Sequence, residues 1–310
     1  MADALPAPAF HHLHLNSVDP EAAITFYTEH FPSTSGTTWD GKPALASPNN
    51  VLILFDRVLA PPATSPDTAY WHFGWHVSDA HGRMRALKDR TDVRLMPLYT
   101  GDGDGAVFIS SDTWPAVPGT LARTRQQVAE AKASGVEPRR KGGWTYMQGP
   151  DGALVELAGD FDSEFFNHVH MFHDEPWCAQ LWYREHLGAS AMRGREGAAA
   201  LDENTCRVER APDPTFPSLV PSGTFRTPAA GVAFGDVTLS SYKPQGDRPL
   251  APTRGHLCDH IALGVANLDA WAAKLRAEGI TFLEEPHRFG HTRAFMIEGP
   301  SREAIELVEA

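Results

Sequence analysis

One pattern occurs twice in this chain. His12-Leu13-His14-Leu15 opens fifteen residues before Tyr27, and His168-Val169-His170-Met171 opens fifteen residues before Tyr183. Each copy is followed by a second histidine-bearing apolar segment, Trp71-His72-Phe73 and Asp259-His260-Ile261. Each then closes on a proline followed six residues later by Glu-Leu, as Pro150…Glu156-Leu157 and Pro300…Glu306-Leu307. Self-similarity over so long a period constrains the fold to a tandem duplication, because each copy has to build the same supersecondary element.

Local patterning gives that element a shape. Phe10 to Ser17 alternates apolar and polar residues, as a half-buried strand does. Asp19-Pro20-Glu21 then starts a helix, with the aspartate as cap and the proline at the first helical position. Ala22, Ala23, Phe26 and Tyr27 fall at helical spacing, and the helix ends near Phe31-Pro32. Short strands follow, the clearest being Val51 to Phe55, and a proline-rich connector runs from Leu59 to Pro66. A second unit has a strand at Trp71–Val77, a helix near Ala80–Lys88 and a Gly-, Asp- and Pro-rich excursion over 98–118. It continues with a helix at Leu121–Ala133 stopped by Gly135, then a hairpin of Trp144–Met147 and Ala153–Leu157 around Pro150-Asp151-Gly152.

After an acidic link at Asp160–Glu164, a third unit carries a strand at Phe166–Phe172, a helix at Pro176–His186, a loop over 210–231 and a strand at Val232–Ser240. A connector at Lys243–Arg254 leads to strand 257–265, helix 268–278 and strands near 281–284, 293–298 and 304–308. The rhythm is strand, helix, strands, four times over. The 310 residues suit two compact domains, expected at 1–160 and 161–310.

Composition narrows the partners. A formal charge of -12 disfavours a phosphate backbone, which needs a basic face, so no nucleic acid is expected. No apolar run approaches the ~20 residues of a membrane span. Met-Ala-Asp-Ala-Leu-Pro has neither a basic region nor a long apolar core, so a cytoplasmic protein is expected. Cys178, Cys206 and Cys258 are an odd set without CxxC spacing and read as reduced thiols. Histidine, at 15 residues, is the richer source of metal ligands.

Side chains two apart on a strand share a face. His12, His14 and Asn16 therefore oppose Leu13 and Leu15; His72, Gly74 and His76 oppose Phe73, Trp75 and Val77. His168 and His170 oppose Val169 and Met171, and His260 and Ala262 oppose Ile261 and Leu263. Glu156 and Glu306 alternate with apolar neighbours in the same way. The apolar faces would pack under the helices, and the polar faces, with their Gly and Ala, leave space for a ligand. Two histidines and a carboxylate suit Fe(II), Mn(II) or Zn(II) and leave coordination positions open. Gly101-Asp102-Gly103-Asp104-Gly105 lacks the full ligand spacing of a calcium loop and reads as a flexible turn.

The stretch from His12 through Asp19 to Tyr27 resembles the opening βα element of the vicinal oxygen chelate superfamily, which includes glyoxalase I, fosfomycin-resistance proteins and type I extradiol dioxygenases. Gly149-Pro150-Asp151-Gly152 followed by Val155-Glu156-Leu157 resembles its closing hairpin and metal-ligand strand. The resemblance implies an α+β fold of four βαβββ modules paired into two half-barrel cups. It implies metal ligands His12, His72 and Glu156 in a first cup and His168, His260 and Glu306 in a second.

Four modules at this length are most similar to extradiol dioxygenases, whose second cup is normally the active one. His287, nineteen residues before Glu306, sits where those enzymes place a histidine near the metal. Their tyrosine ten residues before the glutamate is Tyr146 in the first cup and Met296 in the second; Arg139 replaces the histidine near the metal in the first. No histidine lies on Val51–Phe55 or Val232–Ser240, where an acid–base histidine is expected, and Glu298-Gly299-Pro300-Ser301 replaces the usual Asp-Pro-x-Gly turn.

Glyoxalase-type members add a ligand on the last strand of a pair's first module, where Leu52, Ile53 and Leu54 offer none and Thr238 is a weak donor. The expectation is a metal-dependent enzyme on a small substrate with adjacent oxygens. It leans to a non-heme Fe(II) dioxygenase over a glyoxalase-type lyase, isomerase or epimerase, which would use Zn(II) or Ni(II). A non-catalytic drug or metabolite binder is the contrasting class. Proton work is assigned to His14 and Tyr146 in the first cup, or His170 and His287 in the second. Homo-oligomerisation is left open.

Overall fold

A computed structural model of the protein describes residues 5–65, 67–99, 106–113, 125–136, 142–192, 206, 230–244 and 249–310. Four modules follow one another. The first is β1 (Ala9–Ser17), α1 (Pro20–His30), β2 (Ser35–Trp39), β3 (Lys42–Ala46) and β4 (Leu52–Arg57). The second is β5 (Tyr70–Val77), α2 (Ala80–Lys88), β6 (Arg94–Met96), the short pair β7 (Leu98–Tyr99) and β8 (Ala106–Val107), α3 (Arg125–Ala133), β9 (Trp144–Gln148) and β10 (Leu154–Gly159). The third is β11 (Phe165–Phe172), α4 (Pro176–Leu187), β12 (Ser190–Ala191), β13 (Ala230–Phe234) and β14 (Val237–Tyr242). The fourth is β15 (Cys258–Val265), α5 (Leu268–Ala277), β16 (Phe282–Phe289), β17 (Thr292–Glu298) and β18 (Ala304–Glu309).

Each strand-to-helix turn is short, and a side chain closes three of them. Asp19 accepts from the Ala22 amide, Asp79 from Gly82 and Asn267 from Ala270, each cap contributing about 1 kcal/mol. Helix α4 lacks such a cap and instead ends on Gly188 in the left-handed conformation. The expected apolar parity holds: Leu13, Phe73, Trp75, Val169, Met171, Ile261 and Leu263 are buried in one continuous core that draws on all four modules. The ring of Phe31, at the end of α1, stacks 4.0 Å from Trp75 of β5. The histidine-bearing faces point the other way.

Module pairing differs from the expectation. One eight-stranded sheet runs β16-β17-β18-β15-β1-β4-β3-β2 and joins modules one and four. The other runs β12-β13-β14-β11-β5-β10-β9-β6 and joins modules two and three. The sheets therefore do not divide the chain into 1–160 and 161–310. The four leading strands share one pattern, and backbone hydrogen bonds carry no side-chain identity, so nothing in the pattern selects a partner. The connectors at 58–69 and 243–257 each carry the chain from one sheet to the other and meet at isolated bridges, Ala63–His256 and Thr68–Ala251.

Smaller differences follow. Cys178 and Cys206 are joined in a disulfide across 28 residues, against the expectation of three reduced thiols; Cys258 is free and buried. Strand β16 is longer than expected, β2 and β3 are the short strands expected after the first helix, and β6 was not anticipated. Residues 101–105, 121–124 and 210–229, along with Arg139, lie outside the described residues. Among the described residues no helix is long and apolar enough to cross a membrane.

Candidate metal centres

Crosswise pairing regroups the expected ligands. Antiparallel pairing of β11 with β5 sets His168 opposite Gly74 and His170 opposite His72, and Glu156 on β10 lies beside Gly74. Antiparallel pairing of β1 with β15 sets His12 opposite Ala262 and His14 opposite His260, and Glu306 on β18 lies beside Ala262. The two centres are mirror images in register. All six expected ligands sit in one or the other, as His72, Glu156 and His168, and as His12, His260 and Glu306.

In the β5–β11 centre the Nε2 of His72 is 3.0 Å from Glu156 Oε2, and the Nε2 of His168 is 3.7 Å from Oε1. His170 adds an Nδ1 3.8 Å from Glu156 Oε2. All four side chains are buried, and one ligand atom from each lies within 4.8 Å of the others. Asn167 Oδ1, 2.8 Å from His168 Nδ1, orients that ring. Gly74 makes the room, since a Cβ there would come 2.7 Å from His168 Nε2.

Burial pushes the Glu156 carboxyl up, but His168, His72 and the Tyr146 hydroxyl outweigh it and hold the group below its ordinary value. Burial lowers His72, partly offset by Glu156. An ionised carboxylate beside a neutral imidazole is the protonation state a divalent metal requires, so this donor set fits one. Trp71, Phe172 and Tyr242 form an aromatic cluster beside His170: Trp71 stacks 5.0 Å from Phe172, and Tyr242 meets its edge at 5.3 Å.

The β1–β15 centre has the same skeleton in a more charged setting. His12 Nε2 is 3.4 Å and His260 Nε2 3.8 Å from Glu306 Oε2, and His14 stacks on His260 at 4.4 Å. His12 Nε2 is buried without a hydrogen-bond partner, a donor atom fit for an ion. Asp259 Oδ1 orients His260 through Nδ1 at 2.8 Å. Burial and His14 take His260 down to about 4, and burial with the neighbouring imidazoles takes His12 well below its ordinary value. Burial, then Glu284, pushes Glu306 up to about 7. A cavity of about 120 Å³ lies over these groups, with Lys42, Asp56, Arg254 and His287 in its wall. That volume holds several waters.

The expected proton carriers divide accordingly. His14 and His287 belong to the β1–β15 centre; Tyr146 and His170 belong to the β5–β11 centre, contrary to both expected pairings. His287 is at the rim, 3.8 Å from Glu284. Tyr146 is buried opposite Glu156 in the β9–β10 ladder, the place Met296 takes opposite Glu306.

Asp56 is a site residue that the sequence pattern does not mark. It follows Phe55 at the end of β4, 3.2 Å from His14 and paired with Lys42; His14 outweighs burial and, with Lys42, holds its carboxyl low. The Thr238 hydroxyl donates to the Asn167 carbonyl at 3.4 Å. Leu54 pairs with His14 and Ser240 with His170, the register positions that mirror the two glutamates.

Comparison with known proteins adds a family. The model of the Glyoxalase/Bleomycin resistance protein/Dioxygenase superfamily matches residues 166–307. No curated protein matches the chain. Glyoxalase I from Zea mays superposes over 98% of this chain and 92% of its own, with a TM-score of 0.61 at 14% identity. A candidate dioxygenase from Bacillus subtilis does so over 99% and 86%, with a TM-score of 0.56 at 11% identity. At these identities the likeness is one of fold.

Proposed function

We propose that the chain, whose residues 166–307 match the model of the Glyoxalase/Bleomycin resistance protein/Dioxygenase superfamily, is a metal-dependent enzyme that holds a small substrate through two neighbouring oxygens, with its reaction site at the β5–β11 centre. The observation that carries this reading is the convergence of buried His72, His168 and His170 on a Glu156 held in its ionised form. His72, His168 and Glu156 would hold the ion. When bound, a divalent metal polarises substrate oxygens and acidifies the adjoining carbon. Tyr146 donates to Glu156, and Trp71 and Tyr242 set aromatic rings beside His170.

Between the two reactions, the lean to a dioxygenase presumed that modules three and four share a cup, and crosswise pairing removes that support. We therefore place proton transfer of the glyoxalase type first, as an isomerase, lyase or epimerase. Fe(II) dioxygenation is the second reading, favoured by Tyr146, the tyrosine ten residues before the glutamate.

Metal analysis of the purified chain tests the class. Stoichiometric metal, and a melting temperature lowered by chelator, are expected. Their joint absence would overturn the enzyme reading in favour of a metal-free binder. Activity on 2-oxoaldehyde adducts with Ni(II) or Zn(II) supports proton transfer, whereas oxygen uptake with catechols under Fe(II) replaces it by the second reading.

A further inference from the structure

We propose that His170 is a fourth metal ligand of the β5–β11 centre, standing in for a carboxylate that module three lacks. This rests on the metal reading above and deepens it. The mirror relation within the sheet gives the centre two equivalent carboxylate positions. Module two fills its own with Glu156 on β10, whereas module three has Ser240 on β14, in register with His170. The gap falls on the side of the centre where His170 stands. Its ring lies 4.4 Å from His168 and 4.5 Å from His72, and its Nδ1 is 3.8 Å from Glu156 Oε2. One ligand atom from each of the four side chains lies within 4.8 Å of the others, close enough to converge on one ion whose donors stand at ~2.0–2.2 Å.

The mirror centre shows what a different neighbour does. Asp56 pairs in register with Asn16 on the β1–β4 ladder, and Tyr242 takes the equivalent place against Phe172 on β11–β14. Asp56 sets an anionic carboxylate 3.2 Å from His14 and competes with any ion for that ring. Tyr242 sets a neutral phenol 3.3 Å from His170 Nδ1, a contact a metal displaces without leaving the phenol's partner charged and unpaired. Four protein donors on a six-coordinate ion leave two positions, which a bidentate substrate fills. Dioxygen would need a third. A fourth ligand therefore favours proton transfer over oxygen activation.

The test uses the full chain carrying His12→Ala and His260→Ala, so that only the β5–β11 centre binds. Metal-stripped protein is titrated with Co(II) and followed by its visible d–d bands. Adding His170→Ala is expected to weaken Co(II) binding by roughly 100-fold or more, above the loss from changing an outer partner of a ligand, and to change the band shape. Free imidazole should restore both properties to His170→Gly, which excludes misfolding as the cause, and Tyr242→Phe should keep the parent spectrum. Equal affinity and an identical spectrum in His170→Ala, alongside lost binding in His72→Ala, would overturn the ligand role and leave the metal reading intact. A parent that binds no Co(II) would overturn both.

Discussion

Gly74→Ala is a one-carbon change whose cost follows from the geometry of the β5–β11 centre. An added Cβ would stand 2.3 Å from the Glu156 carbonyl oxygen and 2.6 and 2.7 Å from Cε1 and Nε2 of His168, where ordinary contact is 3.4–4 Å. The imidazole can swing away; the carbonyl cannot, because Glu156 and Gly74 are register partners in the β10–β5 ladder. Overpacking of this kind costs about 1–3 kcal/mol, and an unyielding backbone atom places Gly74→Ala toward the upper value. Removing a glycine from the unfolded ensemble works in the opposite direction, by about 0.4–1 kcal/mol, so destabilisation wins.

The expected outcome is a fall in melting temperature on the order of 5 °C, measured by calorimetry on metal-free protein. Loss of high-affinity metal binding should accompany it as His168 leaves its place. Ala262, the mirror residue, already carries a Cβ, so Ala262→Gly should cost only about 1 kcal/mol and leave its centre assembled. A Gly74→Ala protein that melts and binds metal like the parent would refute the close-approach account.

The crosswise grouping is testable by double-mutant cycles on metal affinity. His72→Ala and His168→Ala should couple by at least about 1 kcal/mol, and His72→Ala with His12→Ala should add within about 0.5 kcal/mol; the reverse pattern would restore the sequential cups. Glu303 is fully buried, accepts from Tyr183 Oη and the Ser301 amide, and is pushed up to about 7 by burial. The folded chain thus keeps a proton that the unfolded chain releases, so stability should fall as pH rises from ~4.5 to ~7, by up to about 3 kcal/mol. Denaturant titrations of Glu303→Gln should show that part of the slope gone, and an unchanged slope would exclude this assignment. Unreduced, denatured protein should show one reactive thiol, Cys258, and reduction of the Cys178–Cys206 loop should cost about 3–4 kcal/mol. Three thiols before reduction would refute the disulfide.

Much of the architecture was legible in the chain. Period-two alternation identified which face of β1, β5, β11 and β15 carries histidine, and the Asp-Pro and Ser-Asp starts placed α1 and α2. Asp56 was missed because its donor lies at the far end of β4, where its meaning depends on His14 across the ladder. The cysteine reading failed for a related reason: Cys178 and Cys206 meet with Cα atoms 4.9 Å apart although 28 residues separate them.

By itself, then, the sequence determined the module, its fourfold repetition and the six His and Glu side chains that face away from the core, because side-chain parity and helix caps are local properties. Only the tertiary structure decided which of them converge. Strand pairing is made by backbone groups that look alike in all four modules. The choice between sequential and crosswise cups is a long-range one, visible in the sheet order and in the connectors that meet at Ala63–His256 and Thr68–Ala251 as they pass between sheets. That choice brought His72 to His168 rather than to His12, and with it made His170 a neighbour of Glu156.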